Sequence, residues 1–503
     1  MRRSRRSVGV AAAALAVAAL PLLPGTAGAA SPSFLSGVLP PPPAGSTTAV
    51  NQAAEPAIRS DPAGGFYISS ENGIAAGTEA WKSTDGGRTY VALPQPNAVS
   101  TVSEATGIAP GGGDTDLATA TRLNAARSYN TYVSSLTLGD VTVSVSGDGG
   151  KTWKSNVLTA TIPVDDREWI AASGASTYFL SYHDLAGNGQ IIVNEGTVKN
   201  GLPVSVLSYS AITDPRLLLP ATIGGQPING NQHGNIAVDQ TTGNVYQVFA
   251  ACPVGLLSAV TCQDPNAVYM AVGTPTGRSL GGLPVLRFTD HVIHTAPAGT
   301  SLANNFPNVA VDRAGNVYAA WSDGRAVGVA YSRDRGATWS TPAVVNSGAA
   351  QTAIFPWLTA QSPGNVDLVY YGTPDSQNRQ TCATSAAADP CQTQPWRVFM
   401  AQNLSMLSGG AWRQYQVTPV VHYGGVCQEG VLCLGNGNDN RDLFDDFGVS
   451  VSPTSGLASI AYSDDQYGEL AGSSNAALCT AAQTNSAACD HTDYATQTSG
   501  SGI

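Results

Sequence analysis

The sequence predicts an all-β fold, a β-propeller of four-stranded antiparallel sheets, on three observations. After residue 50 the apolar residues form short alternating runs separated by Gly, Asn, Asp and Pro, with almost no stretch of helical period. One strand unit recurs along the chain, and one polar turn motif occurs three times. Small sheets that repeat in this way surround the central channel of a propeller.

The strand unit is clearest between residues 307 and 332. An apolar strand at 307–312 precedes a turn, a second strand at 317–323 ends in polar residues, and a third strand follows at 327–332. The strand unit has seven starts in the sequence, which predict seven blades. Six blades also fit, because the unit that starts near residue 114 is irregular. Either the tail near Tyr494 or an N-terminal strand would close the last blade. The predicted starts lie near Glu55, Asp114, Asp166, His233, Asn305, Ile354 and Asp445.

The polar turn motif has the pattern Ser-x-Asp-x-Gly-x-Thr-aromatic. It occupies residues 83–90, 146–153 and 332–339, called the polar turns below. We expect each to join the third and fourth strands of a blade. The Ser and Asp oxygens would accept backbone N–H bonds, the Gly would supply a positive φ, and the ring would pack back into the sheet. The motif therefore predicts turn architecture and not catalysis.

With these turns the chain resembles the Asp-box, or BNR-repeat, proteins, whose best-known members are sialidases. The strand units extend this resemblance over nearly all of residues 50–470. The resemblance implies a sialidase-like β-propeller, a group that also contains hydrolases of other glycans and non-catalytic receptors. Sialidases of this superfamily carry Arg-Ile-Pro at the entrance to the first blade, where the Arg binds a sugar carboxylate. This chain has Ala54-Glu55-Pro56 at the matching position.

The N-terminus predicts export. Residues 1–30 combine four arginines, an apolar Ala-rich run and a small-residue cleavage site, which together indicate a signal peptide. The Sec and twin-arginine routes both fit it. Residues 31–49, with four consecutive prolines, are interpreted as a Pro-rich linker. Residues 50–503 are predicted to be a single propeller domain without a membrane span.

Charge and cysteine content limit the partners and the compartment. Loss of residues 1–30 leaves 20 basic against 35 acidic residues, a net charge of −15, which disfavours nucleic acid and anionic lipid. We expect a secreted or wall-associated monomer. In an exported chain, the four close cysteine pairs predict four short-loop disulfides. The pairs are Cys252 and Cys262, Cys382 and Cys391, Cys427 and Cys433, and Cys479 and Cys489.

The propeller also predicts where a site would lie. Loops that enter each innermost strand, and loops that join the second and third strands, open on one face around the axis. Carboxylates there, beside His and Arg, are the groups that glycoside cleavage needs, and aromatic rings stack on sugars. Asx turns and structural ion pairs are the alternative explanation for each residue. The catalytic candidates are Asp166, Glu168, Asp445 and His233. The substrate-binding candidates are Arg167, Trp169, His183, Asp323, Arg325, Trp357, Arg441 and Asp464.

These features predict a secreted carbohydrate-active protein, a sialidase-like glycoside hydrolase that acts on an extracellular glycan through carboxylates at the axis. Three alternatives remain open: a non-catalytic propeller that binds a glycan or protein, a polysaccharide lyase with a His or Tyr base, and a structural wall protein. Hydrolysis of this kind needs no cofactor. A ring of Asp, His and Asn could still hold a structural calcium ion, although the sequence contains no EF-hand loop.

Overall fold

The structure is a computed structural model. It describes residues 31–46, 51–73, 76–97, 111–137, 140–158, 165–184, 189–218, 221–223, 226–228, 231–252, 265–279, 281–376, 382, 390–428, 441–466 and 490–503. The predicted signal peptide lies outside these residues. Within them, no helix has the length and hydropathy that a membrane crossing requires.

Seven four-stranded antiparallel sheets, numbered as blades 1 to 7 along the chain, form the propeller. The predicted seven-blade architecture is therefore confirmed. In each blade strand a is innermost, because the a strands of successive blades contact one another and together line an axial cavity. Strands b, c and d follow outward.

The strand bounds follow in the order a to d. Blade 1 has Ala54–Ser60, Phe66–Glu71, Glu79–Ser83 and Val91–Ala92; blade 2 has Thr115–Thr119, Thr131–Leu136, Val141–Ser146 and Lys154–Val157; blade 3 has Asp165–Ser173, Thr177–Asp184, Gln190–Lys199 and Leu202–Ser210; blade 4 has Asn231–Val238, Val245–Ala251, Ala267–Arg278 and Pro284–Thr295. Blade 5 has Asn304–Val311, Val317–Ser322, Val327–Ser332 and Ala343–Val344; blade 6 has Thr352–Ala360, Val366–Thr373, Pro395–Asn403 and Arg413–Gln416; blade 7 has Gly448–Val451, Ala458–Asp464, His491–Gln497 and Phe34–Val38.

Smaller elements complete the described part. A short strand, His422–Tyr423, pairs with the start of strand c in blade 6, and Ala221–Ile223 pairs with Gln226–Ile228. The described helices are three single 3₁₀ turns, Pro215–Leu217, Pro390–Thr393 and Met406–Ser408.

The last blade is closed by the N-terminal strand. Phe34–Val38 pairs antiparallel with His491–Gln497, so the two ends of the chain share one sheet. Gly37 packs directly against the ring of Tyr494, where a Cβ atom would come within 2.9 Å of the ring. Assignment of residues 31–49 to a linker is therefore corrected for residues 34–38. The error arose because a lone edge strand next to prolines has no periodicity of its own.

Polar side chains join the a strands of neighbouring blades, which contact one another but belong to separate sheets. Asp116 of blade 2 accepts the Ile170 N–H of blade 3 at 3.0 Å, and also binds Arg59 of blade 1 at 2.9 Å. Asn308 of blade 5 accepts the Leu358 N–H of blade 6 at 2.9 Å. These bonds satisfy buried backbone donors and fix the spacing of the blades.

The polar turns have the predicted hydrogen bonds. Asp148 accepts the N–H groups of Lys151 and Thr152 at 3.1 and 3.0 Å, and Ser146 Oγ accepts the Gly150 N–H at 2.8 Å. Gly150 has a φ of +91° and Trp153 is buried. The other two turns repeat this pattern around Asp85 and Asp334. All three lie at the end of the propeller where the a strands finish, away from the predicted site.

One predicted disulfide is confirmed, between Cys382 and Cys391, with an S–S distance of 1.99 Å. Cys252 and Cys427 are also disulfide-bonded. Cys262, Cys433, Cys479 and Cys489 lie outside the described residues.

Candidate functional site

Bulges near the start of the a strands direct side chains to the axis. The pairing of strand a with strand b shifts register in blades 1, 3, 4, 5 and 6. Each bulge re-aims one side chain. Glu55, Arg167 and Phe355 lie at these bulges with φ values of 48°, 53° and 55°. Such conformations are unfavourable for residues with a Cβ, and they cluster at functional sites.

Arg167 lies at the centre of the resulting cluster. Its Nη1 is 2.6 Å from Glu55 Oε2 and 3.6 Å from Asp114 Oδ1, and its Nη2 is 2.6 Å from Asp446 Oδ2. The guanidinium lies over the ring of Trp169, 4.4 Å from its centroid. Burial favours loss of the proton, but the charges of Asp446 and Glu55 outweigh it and raise the Arg167 pKa. Arg167 is therefore a fixed cation that joins the entrances of blades 1, 2, 3 and 7.

Arg441 forms the second cationic centre. It binds Asp445 through both terminal nitrogens, at 2.8 and 2.5 Å, and its Nη2 lies 3.4 Å from Glu55 Oε1. Asn305 donates a further bond to Asp445 at 2.8 Å. Burial would raise the pKa of Asp445, but the Arg441 charge and hydrogen bonds lower it overall. Asp445 is therefore held in its ionised form.

Other carboxyl groups of the cluster retain protons more strongly. Glu55, Glu71 and Asp114 each place an oxygen within 4.8 Å of the others. Burial, followed by the Glu71 charge, raises the Glu55 pKa well above its ordinary value, and burial followed by the Asp114 charge does the same to Glu71. Burial also raises the Asp446 pKa to about 7, against the opposing charge of Arg167. The cluster at the axis thus contains one carboxyl group with a lowered pKa and others with raised pKa values. This pattern is found in the acid and base pairs of enzymes.

The cluster is most open at its rim. The side chains of Asp114 and Arg441 are 14% and 21% exposed, whereas the side chain of Glu55 is fully buried. Farther along the axis, the a strands of all seven blades surround a cavity of about 240 Å³ that Arg59 and Trp357 line. Arg59 lies over the Trp357 ring, 4.9 Å from its centroid.

The structure brings three sequence-predicted residues into the cluster, Arg167, Arg441 and Asp445. It places a fourth, Trp169, directly beneath the guanidinium of Arg167. Trp169 and Trp357 pack against each other with ring centroids 5.3 Å apart, and both are buried. Arg167 covers the ring of Trp169 and Arg59 lies over that of Trp357, and stacking of either ring on a sugar stays a prediction. Glu168 is fully buried on strand a of blade 3. The Asp166 backbone lies at the bulge of this strand, and its side chain lies outside the described part of the chain.

The two predicted histidines lie together beside the axis. Their ring centroids are 6.3 Å apart, and His233 Nε2 is 3.1 Å from Ser181 Oγ. Burial lowers the pKa of His183 to about 4. Burial and the neighbouring His183 lower that of His233 well below its ordinary value. Both imidazoles are therefore neutral near pH 7 and buried, an arrangement typical of core histidines.

Asp323, Arg325 and Asp464 lie apart from this cluster. Asp323 accepts the N–H of Arg325 at 2.9 Å in an Asx turn, as the alternative explanation for such residues predicts. Asp464 belongs to a separate buried group with His491 and Asp493, whose possible ligand atoms lie within 4.8 Å of one another.

Glu55, Glu71 and Asp114 were not selected as site residues from the sequence. A usable signal was present for Glu55. It precedes a proline in strand a, as Phe306 and Phe355 do in blades 5 and 6, and these residues mark the bulges. Glu71 ends strand b, a position that faces the same opening.

No family model matches the chain, and no curated protein matches it. Among solved structures, it is similar to a protein of unknown function from Dyadobacter fermentans, with 12% identity, a TM-score of 0.43, and coverage of 93% of this chain and 100% of the other. It is also similar to an α-L-arabinanase from Penicillium chrysogenum in complex with arabinobiose, with 11% identity, a TM-score of 0.43, and coverage of 93% and 99%. A third similar structure is a Hadza microbial sialidase, with 10% identity, a TM-score of 0.39, and coverage of 90% and 66%.

Proposed function

We propose that this protein is a secreted glycoside hydrolase in which Glu71 is the proton donor and Asp114 is the second carboxylate. One observation carries the proposal: at the rim of the axial cluster, oxygens of these two groups lie within 4.8 Å of each other. Burial and the Asp114 charge raise the Glu71 pKa. An acid that keeps its proton beside a charged carboxylate is the arrangement that glycoside cleavage requires.

The short separation favours retention of configuration. Carboxyl groups about 5 Å apart leave no room for a water molecule between acid and base. Asp114 would attack the anomeric carbon while Glu71 transfers its proton to the departing glycosidic oxygen. Water would then cleave the glycosyl ester, giving its proton to Glu71 and releasing Asp114. Both residues return to their starting state.

The remaining charged groups hold this pair in place. Arg167 binds Glu55 and Asp446, and Arg441 binds Asp445. Asp445, a catalytic candidate on sequence grounds, is assigned here to positioning, because both of its oxygens are occupied by Arg441. Partners that fix the orientation of reacting groups supply much of the rate enhancement of an enzyme.

The arginines of the cluster indicate an uncharged substrate. Arg167 is bound to Glu55 and Asp446, and Arg441 is bound to Asp445 and Glu55. Neither guanidinium therefore remains to form the bidentate pair that binds a sugar carboxylate. We therefore favour a neutral extracellular glycan over a sialoside. Secretion rests on the N-terminal pattern and agrees with the Cys382–Cys391 disulfide.

A substrate screen tests the proposal. The purified protein is incubated with neutral polysaccharides, sialosides and uronate polymers, and both reducing-end release and unsaturated-uronate absorbance are measured. Reducing ends from a neutral glycan support the hydrolase. Unsaturated uronate would indicate a lyase. Glycan-array binding with neither product would indicate a non-catalytic binding propeller.

A further inference from the structure

A second group of charged side chains lies where blade 6 meets blade 7. It contains His422, from the short strand after blade 6, and Asp442, from the segment that enters blade 7. Asp465 follows strand b of blade 7, and Asp490 precedes strand c. Each of the four is at least nine-tenths buried. His422, Asp442 and Asp465 each offer one ligand atom within 4.8 Å of the others.

Asp490 supplies an independent indication of a ligand. Its side chain is 3% exposed, and its Oδ1 has no hydrogen-bond partner among the described residues. The charged groups that act on it are Asp442 and Asp465, so its carboxyl group lies next to the cluster, outside the set of three ligand atoms that lie within 4.8 Å of one another. A buried carboxylate oxygen that no hydrogen-bond donor contacts destabilises the folded state. Nearby carboxyl groups add to this cost.

The imidazole of His422 is oriented to coordinate an ion. Its Nε2 lies 3.4 Å from the carbonyl oxygen of Gly425, which can only accept a hydrogen bond, so Nε2 carries hydrogen. Nδ1 lies 2.8 Å from Asp465 Oδ2, a hydrogen bond in which the ring donates to the carboxylate, so a metal ion at Nδ1 would displace this hydrogen. A backbone carbonyl that fixes the other ring nitrogen in this way is the usual outer partner of a metal-bound histidine. Gln466 donates to Asp465 and orients that carboxylate as well.

We propose that His422 Nδ1 and the carboxylates of Asp442, Asp465 and Asp490 bind one divalent cation of the zinc or manganese kind. The imidazole can supply at most one positive charge beside three buried carboxyl groups, and a divalent cation would offset the charge of their ionised forms. A mixed nitrogen and oxygen donor set suits these metals, whereas calcium takes oxygen ligands. Calcium, the ion expected from the sequence, therefore fits this cluster less well.

The cation would also position part of the axial site. Asp442 directly follows Arg441, and Asp445 and Asp446 lie in the same short segment. A metal that fixes Asp442 against Asp465 and His422 would hold this segment in place. This inference does not depend on the identity of the glycan or on the presence of catalysis.

Metal content and thermal stability test the proposal. The full secreted protein is dialysed against a chelator and then against buffer with zinc, manganese or calcium, each alone, and bound metal is measured by plasma mass spectrometry. We expect one zinc or manganese ion per chain and a rise in Tm of several degrees, because an ion that binds only the folded state stabilises it. A chain that binds neither metal, or that binds calcium alone, would overturn the assignment.

Variants locate the ion. Asp490→Asn and His422→Gln should lower metal content at least tenfold at the same free metal concentration. The matched control is Asp367→Asn, which changes an equally buried acid in blade 6 outside this cluster and should retain the ion. Full metal content in both Asp490→Asn and His422→Gln would place the ion elsewhere and contradict the proposal. If either variant does not fold, the chelation and reloading of the unmodified protein still decide the outcome.

Discussion

Arg167 of blade 3 and Glu55 of blade 1 form an ion pair with an N–O distance of 2.6 Å, although blade 2 lies between their sheets. Such a contact is possible only near the axis, where a strands of non-adjacent blades converge. The pair is buried and shares its guanidinium with Asp446. It therefore links the charged cluster at the axis to the entrances of blades 1, 3 and 7.

Removal of this guanidinium should be strongly destabilising. Arg167→Met leaves Glu55 and Asp446 buried without their cation, and loss of one partner of a buried ion pair costs about 3 to 5 kcal/mol. Urea unfolding followed by tryptophan fluorescence measures the change. Arg216→Met, which breaks the exposed pair with Asp214, is the control and should unfold like the wild type. Equal stability of the two variants would show that the axial network is not structural.

The polar turns should affect stability and not activity. Asp148→Ala removes an acceptor of two backbone N–H groups and of the Thr152 hydroxyl, so we expect a loss of roughly 1 to 3 kcal/mol. Activity per folded molecule should stay at the wild-type level, because this turn lies at the far end of the propeller. A stable variant that selectively lost activity would show that the site lies on the face of the polar turns and not on the opposite face.

The N-terminal strand should be required for closure. Gly37→Val introduces a side chain where Tyr494 already lies, and overpacking of this kind costs about 1 to 3 kcal/mol. Leu35→Thr, at a largely exposed position of the same strand, should change little. Thermal unfolding of both variants tests this, and a Gly37→Val protein as stable as Leu35→Thr would argue against the strand pairing.

Asp367 should give stability a pH dependence. Burial raises its pKa to about 7, and Gln402 donates a hydrogen bond to it. Because the folded protein then holds a proton that the unfolded chain releases at lower pH, stability falls as pH rises from about 4 to 7. Asp367→Asn stays neutral and should be more stable than the wild type at pH 8 by roughly 1 to 4 kcal/mol, with little difference at pH 4. Chemical unfolding at both pH values measures this, and a variant that is less stable at pH 8 would contradict it.

Much of the fold was predictable because local chemistry specifies it. The turn at Ser146 and Asp148 is a complete hydrogen-bonded unit within eight residues, and the seven strand starts repeat the same polar and apolar pattern. An N-terminal strand was one of the two predicted ways to close the last blade, but Phe34–Val38 was not located in the sequence because its partner, His491–Gln497, lies at the other end of the chain.

The sequence indicated where the charged cluster lies but not all of its members. Loop positions indicated the face where the a strands begin, and Arg167, Arg441 and Asp445, selected on that ground, lie together there; their functional roles stay predictions. Glu71 and Asp114 were not selected, because their proximity comes from the contact between blades 1 and 2 and not from a local motif. The sequence also does not show that Arg167 covers the ring of Trp169.

Glu71 is the residue that we propose to supply the proton for glycosidic cleavage. The most direct measurement is the kcat of Glu71→Gln on the glycan that the wild type hydrolyses, at matched folded concentration, beside Glu195→Gln as control. Burial also raises the pKa of Glu195, to about 7, but that residue lies on strand c of blade 3, where it binds Tyr209. We predict that Glu71→Gln loses about 10²-fold or more while Glu195→Gln retains its turnover. Near-native turnover by Glu71→Gln would contradict the proposed role of Glu71 as the proton donor.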